Sequence, residues 1–196
     1  MNKTNFSKTA TTILCAMLFI VIGSCFSAFL YKKEIVKVED PKLVIEEGIS
    51  VFNAKGDKAI EKFQLSQMNL GLKPATGEED PESNIPTTVH DRKGSEGQFA
   101  KFKLYAPEGC SIYVSNIKIT SDLEESKIKE ERKNIMVAIS QIKESAVSLE
   151  QDKVFVAKTS ATNERVEYTF LVWLSSKISE EFDSTTISFD VLFEKV

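Results

Sequence analysis

The uncharged apolar run from Thr11 to Tyr31 constrains this chain more than any other feature. From Ile13 to Tyr31 it holds 19 uncharged, mostly apolar positions, close to the roughly 20 residues that cross a bilayer core. Lys3 and Lys8 precede it and small residues lie near its end, which is the layout of a secretory signal. We therefore expect residues 1–31 to be a signal peptide or a single membrane-anchoring helix.

Three fates of this segment remain open. A signal peptidase removes it, or it stays as a single anchor. Lysines follow the run as they precede it, so the charge rule does not set its orientation. In the third reading Cys25 carries a lipid, because Ile22–Cys25 loosely fits a lipoprotein signal box. In all three, residues 32–41 are predicted to be a juxtamembrane linker and residues 42–196 an exported domain.

Composition excludes several classes of function. The chain has 29 acidic and 25 basic side chains, which argues against nucleic acid as a partner, since nucleic acid selects a dense basic face. His90 is the only histidine, so a zinc site of HExxH type cannot form, and no GxSxG nucleophile elbow is present. We predict no enzyme, no catalytic residue, no metal site and no cofactor. Hydrolysis by paired carboxylates is the one catalytic alternative.

Cys110 is the only cysteine outside the apolar run. A disulfide within the domain is therefore impossible, and stability must come from burial of apolar side chains. Cysteine is among the most frequently buried residues. We expect Cys110 to be a small core residue and not a nucleophile.

Most of the domain alternates apolar and polar residues with a period of two, which predicts β-strands. Gln98–Tyr105 and Cys110–Thr120 flank a short turn, and this arrangement favours an antiparallel hairpin. Val166–Leu174 is the strongest strand and becomes apolar on both faces toward its end. We expect that strand to be buried on two sides, with Trp173 in the core.

Two segments interrupt the strand pattern. Residues 73–97 are rich in proline, glycine and acidic residues and are predicted to be a long loop. Its acidic part, residues 78–82, is either a solvated charge run or a calcium ligand set. Residues 121–151 lack glycine and proline, and Ile135, Ile139 and Ile142 recur at helical spacing. Past Asn134 the period is ambiguous, because Ile135, Val137 and Ile139 also alternate as in a strand. The predicted fold is mainly β: an antiparallel β-sandwich of jelly-roll type with a helical insertion over 121–151, preceded by one N-terminal hydrophobic helix.

Two stretches of the chain resemble the TasA/camelysin family of secreted bacterial proteins. Gly23–Phe29 is similar to that family's signal junction, and Tyr168–Leu174 with Thr186–Phe189 is similar to its last strands. The resemblance implies cleavage between Ala28 and Phe29. It also implies a jelly-roll surface or biofilm-matrix protein of Gram-positive bacteria that assembles into fibres. Camelysin's protease activity does not carry over, because the zinc-binding residues it needs are absent here.

Two functions are therefore expected. The first is a non-enzymatic, exported cell-surface or extracellular-matrix protein. Residues 29–38 are then either a flexible tether between membrane and domain or a donor segment for self-assembly by strand addition. The alternative is a membrane-anchored binding module for a glycan or small ligand, using the long loop. The expected partners are the membrane, if the N-terminal helix is uncleaved, and copies of this chain or other surface proteins.

Overall fold

Ten β-strands and one short helix are found in the computed structural model, which describes residues 37–65, 97–142, 145–175, 177–182 and 185–196. The helix α1 is Glu125–Glu131, and 3-10 turns follow at Arg132–Asn134 and Glu180–Phe182. The strands are β1 Lys37–Val38, β2 Lys42–Ile45, β3 Ser50–Asn53, β4 Gly97–Ala106, β5 Cys110–Thr120, β6 Ile135–Ile139, β7 Val147–Ser148, β8 Lys153–Thr159, β9 Thr162–Leu174 and β10 Thr186–Lys195.

The strands form two five-stranded sheets. In the first, here the β10 sheet, the order is β1–β10–β5–β8, and β2 also pairs with β10. In the second, here the β9 sheet, the order is β3–β4–β9–β6–β7. All pairs of the β9 sheet are antiparallel, whereas β1 and β2 run parallel to β10. The mainly β prediction is confirmed, but a purely antiparallel structure was wrong at this edge.

The two sheets share one hydrophobic core. Alternate residues of β10 are buried, so one face of that strand points inward, as the period-two pattern requires. The ring of Phe193 in β10 lies 5.9 Å from that of Phe102 in β4. The rings of Phe170 in β9 and Phe189 in β10 are 6.0 Å apart. These contacts join residues of opposite sheets, so the apolar faces of the two sheets pack on each other.

Two core predictions are confirmed. Cys110 and Trp173 are both buried. Residues Thr169–Leu174 of β9 are buried at every position, so this part of the strand is covered on both faces. Within its sheet β9 lies between β4 and β6, so both of its edges are paired as well.

The predicted hairpin between β4 and β5 was wrong. β4 pairs with β3 and β9, while β5 pairs with β10 and β8, so the turn between them passes from one sheet to the other. Gly109 in this turn has φ +86°, and a Cβ there would lie 3.0 Å from the Thr159 carbonyl oxygen. Two strands with one apolar face each have the same sequence pattern whether they lie side by side or in facing sheets. The pattern therefore cannot decide between them.

The predicted helical insertion over residues 121–151 was wrong for most of its length. Helix α1 covers only Glu125–Glu131, and Ile135–Ile139 is the strand β6. Ile135 pairs with Leu174 and Ile139 pairs with Phe170. Pairing with the buried half of β9 outweighs local helix preference, which is a weak determinant beside tertiary contacts.

The predicted linker over 32–41 is in part a strand, since β1 pairs with β10. The N-terminal helix of residues 1–31, the junction Ala28–Phe29 and Cys25 lie outside the described residues. So do His90, residues 78–82 and the rest of the predicted loop 73–97 before Gly97, where β4 begins. Within the described ranges, no helix has the length and apolar character needed to cross a membrane.

Candidate functional site

A tight turn after β3 borders a concave surface of the described chain. The Asn53 side-chain oxygen accepts hydrogen bonds from the backbone N–H groups of Gly56 at 2.9 Å and Asp57 at 3.2 Å. The Asn53 amide donates to the Asp57 carboxylate at 2.7 Å. Asparagine favours such turns because its side chain imitates a backbone turn, and Gly56 provides a φ of +79°. The chain therefore reverses direction within a few residues.

Residues 58–63 then join the two sheets. The Asn53 N–H donates to the Lys58 carbonyl at 2.9 Å and the Ile60 N–H to the Val51 carbonyl at 3.0 Å, which ties the segment to β3. On its other side, the Leu43 N–H of β2 donates to the Glu61 carbonyl at 2.7 Å. The segment thus covers the edge of the β9 sheet at β3 and the edge of the β10 sheet at β2.

A groove of about 1050 Å³ lies over this segment. Phe63, which is only 1% exposed, and Ile60 contribute apolar surface to its lining. Its charged lining has more cations than anions, with four lysines against one aspartate and one glutamate: Lys55, Lys58, Lys62, Lys101, Asp57 and Glu61. The whole chain has a net charge of −4, so this excess of positive charge is local to the groove.

Two cations of the β9 sheet hold the turn in place. The Lys103 ammonium donates to the Lys55 carbonyl at 3.5 Å, and the Arg165 guanidinium donates to the Gly56 carbonyl. The Arg165 guanidinium also lies 4.0 Å from the centre of the Phe52 ring, within cation–π range. Both side chains therefore hold the turn against the β9 sheet.

The remaining lysines differ in their partners. Lys62 forms an ion pair with Asp40 at 3.4 Å. Within the described ranges, Lys55, Lys58 and Lys101 form no ion pair, and all three side chains are exposed. These three ammonium groups are available to an anionic ligand.

The described residues offer little else for chemistry. Among them, no three His, Cys, Asp or Glu side chains are grouped so that they could hold a metal ion. Lys127 and Glu181 form an exposed pair at 2.6 Å, and this hydrogen bond raises the pKa of Lys127 and lowers that of Glu181. The pair links helix α1 to the 3-10 turn at Glu180–Phe182, and both side chains are exposed.

Burial makes Cys110 unreactive. Desolvation, followed by the charge of Glu46, raises the pKa of the Cys110 thiol from 9.0 to about 12. The thiolate is the reactive form of cysteine, so a thiol with this pKa is a poor nucleophile at neutral pH. Cys110 is therefore a structural residue and not part of a site.

A thiol-labelling experiment checks this assignment. In a Cys15→Ser, Cys25→Ser chain, whose remaining thiol is Cys110, a disulfide reagent at about pH 8 should label about one thiol after unfolding in urea and almost none before.

The raised pKa of the Cys110 thiol also predicts a pH dependence of stability. The contribution of this group to stability is complete below pH 9.0 and is lost as the pH rises toward about 12, because only the unfolded chain releases the proton in that range. Full labelling of the folded chain would contradict the assignment.

The groove was not predicted from the sequence, although three of its lysines lie within eight residues, at positions 55, 58 and 62. The sites that it proposed, at Ala28–Phe29, Cys25 and residues 78–82, are outside the described part of the chain. No family model matches the chain, and no curated protein shows significant similarity to it. The likeness to TasA and camelysin stays a prediction.

Proposed function

We propose that this chain is a non-enzymatic protein of the bacterial cell surface or extracellular matrix that assembles by exchange of an edge strand. The apolar run of residues 11–31 supports export, as argued from the sequence. The observation that carries the assembly is the position of β1. This two-residue strand comes soon after the run and lies at the edge of the β10 sheet.

The pairing of β1 is well suited to exchange between copies. Lys37 pairs with Thr186 and Val38 with Ile187, and the Glu39 N–H donates to the Ile187 carbonyl at 2.9 Å. The same contacts form when β1 of a neighbouring copy takes this place, so exchange loses few interactions. Exchange of an identical element is a low-cost route to assembly, and strand addition provides its affinity through backbone hydrogen bonds.

Two other sheet edges are less suited to strand addition. Residues 58–63 join β2 to β3 on one side, as described above. On the opposite side, β8 has a register shift that leaves Val156 between two paired positions, and it carries the exposed residues Lys153 and Lys158. Bulges and edge lysines are the features by which proteins block unwanted strand pairing. The place of β1 is therefore the favoured point of exchange.

The connections between the strands support a β-sandwich of jelly-roll type as the scaffold. The chain passes from one sheet to the other after β2, β4, β5, β7, β8 and β9. Jelly rolls are double-sheet structures built from such crossings. In this proposal β1 is the outer strand of the sandwich at this edge, and β10 is the inner strand to which it pairs.

Light scattering on two truncated chains tests the assembly. A chain that begins at Phe29 should form oligomers whose mass rises with protein concentration, because it retains the donor segment and β1. A chain that begins at Asp40 should stay monomeric. As a matched control, Glu39→Pro in the longer chain removes the N–H that bonds to Ile187 and should weaken association without shortening the chain. If all three chains are monomers at every concentration, the segment is only a tether and the assembly proposal fails.

The N-terminal sequence of the protein recovered from cells and medium tests export. Protein in the medium that begins at Phe29 supports the matrix role. Protein that begins at Met1 in the membrane fraction supports a surface role with an uncleaved anchor. Recovery of the whole chain in the soluble cell extract alone would overturn both.

A binding role is the second candidate function. The cationic groove favours it, because three lysines there lack ion-pair partners among the described residues and line one concave surface.

A further inference from the structure

We propose that the groove over residues 53–64 binds a linear polyanion, a polymer with repeated phosphate or carboxylate groups. Lys55, Lys58 and Lys101 are its contacts. The inference rests on the second candidate function, to which it assigns a ligand, and it is independent of self-assembly through β1.

The three lysines come from separate structural elements that converge on the groove. Lys55 lies on the turn after β3, Lys58 on the segment that returns along β3, and Lys101 on β4. Each ammonium is a compact charge with three hydrogen-bond donors on a flexible stem. Such groups suit phosphate or carboxylate groups that follow one another along a chain, since none of them demands a fixed orientation.

The charge balance selects an anion as the ligand. Lys62 is paired with Asp40, which lies outside the lining. The other three lysines have no ion-pair partner among the described residues, and they face the carboxylates of Asp57 and Glu61, so positive charge remains in excess. Asp57 keeps its charge, but the Asn53 amide holds its carboxylate in the turn at 2.7 Å. A cationic ligand would meet net repulsion here.

The wall of the groove is already in place before a ligand arrives. Lys103 and Arg165 donate to the carbonyls of Lys55 and Gly56, so the turn is tied to the β9 sheet. Gly56 lies so near the sheet that a Cβ there would be 2.9 Å from the Lys103 Cδ. A wall held in this way loses little conformational entropy when a ligand binds.

The size of the groove and the exposure of its lysines favour a polymer over a single ion. A volume of about 1050 Å³ far exceeds what one phosphate fills. Contacts between exposed charges are individually weak because water and salt screen them. Several linked anionic groups bind together with a raised effective concentration, so the polymer gains affinity that a free anion lacks.

The test compares two triple variants of the full chain in a nonionic detergent. The groove variant is Lys55→Gln, Lys58→Gln, Lys101→Gln. The control variant, at exposed lysines outside the groove without ion-pair partners among the described residues, is Lys118→Gln, Lys129→Gln, Lys158→Gln. Both lose the same total charge, so any difference between them reports the location of binding. Linear polyphosphate, polygalacturonate and neutral dextran are the probes, titrated by calorimetry at several salt concentrations.

We expect the wild-type chain to bind polyphosphate, polygalacturonate or both, and the stronger of the two identifies the anionic group. The groove variant should bind at least about tenfold more weakly, and the slope of log K against log salt should fall by about one for each lysine lost. The control variant should change affinity by less than about twofold. As a second measurement at a single site, Lys101→Glu should weaken binding further than Lys101→Gln, with unchanged circular dichroism.

Three results would overturn the proposal. Equal weakening in both triple variants would mean that binding follows overall charge and not the groove. If neither polyphosphate nor polygalacturonate bound to the wild-type chain, the groove would not be a polyanion site. Binding of dextran that is lost in the groove variant, with no binding of the polyanions, would keep the binding function and exclude the polyanion.

Discussion

Replacing Trp173 with alanine is expected to lower the free energy of unfolding by about 3–5 kcal/mol, the usual cost of truncating a buried large aromatic residue. Trp173 is only 1% exposed and pairs across the β9 sheet with Met136 of β6 and Gly97 of β4. Its removal takes a large apolar side chain out of the packed core and leaves a cavity beside these paired strands. Urea unfolding followed by far-ultraviolet circular dichroism measures the loss, because the variant has no tryptophan fluorescence.

Phe155→Ala is the matched control for this prediction. Phe155 is also an aromatic residue of a strand, but its ring is 48% exposed. Its truncation should cost less than about 1 kcal/mol, since little apolar area returns to water. An equal effect of the two changes, or ready quenching of the wild-type tryptophan fluorescence by iodide, would contradict the core position of Trp173.

Phe63→Ala is expected to cost a similar amount, about 3–5 kcal/mol, although Phe63 belongs to no strand of either sheet. Its ring centre lies 4.9 Å from that of Phe102, 5.4 Å from that of Phe170 and 6.3 Å from that of Phe193. The partners come from both sheets, so Phe63 fills the core where the segment 58–63 joins them. The same unfolding measurement applies.

Gln64→Ala is the control, because Gln64 is the exposed neighbour of Phe63. A double-mutant cycle with Phe193→Ala measures the direct coupling of the two rings, which we expect to be about 0.5–1.5 kcal/mol. If Phe63→Ala were no more costly than Gln64→Ala, the segment 58–63 would not be part of the core.

Long, strongly alternating segments were predicted well. Val166–Leu174 lies within β9, and its apolar end is buried on both faces as expected. The burial of Trp173 and Cys110 followed from the apolar character of their surroundings. These features depend on which residues leave water, and apolar surface area alone largely decides that.

The helical insertion was predicted wrongly because two periods were present in the same residues. Ile135 and Ile139 fit the helical spacing of four, yet with Val137 they also fit the strand spacing of two. In the structure the three residues are buried in β6 against β9. The buried strand β9 has an edge with which these residues pair. That partner is distant in sequence, so the local pattern does not indicate it.

Neither the groove nor the edge position of β1 could be derived from sequence. Lys101 lies more than forty residues from Lys55 and Lys58 along the chain, and the sheet pairing of β3 with β4 brings them to one surface. Likewise, Lys37–Val38 meets Thr186–Ile187 from the other end of the chain. Contacts over such separations depend on how the strands are ordered and on which turns cross between sheets.

The sequence by itself determined that the described domain forms β-strands with one apolar face and that Trp173 and Cys110 are buried. The membrane role of the apolar run at residues 11–31 stays a prediction. Only the tertiary structure decided which strands are neighbours and that the chain crosses to the opposite sheet after β4. It also decided that residues 58–63 bond to both β2 and β3, and that a cationic groove lies over this segment. The physical reason is that burial depends on each residue's own side chain. Strand pairing depends on small differences in free energy between alternative pairings with strands that are distant in sequence. Strands that share the period-two pattern have nearly the same apolar face, so the pattern does not distinguish one pairing from another.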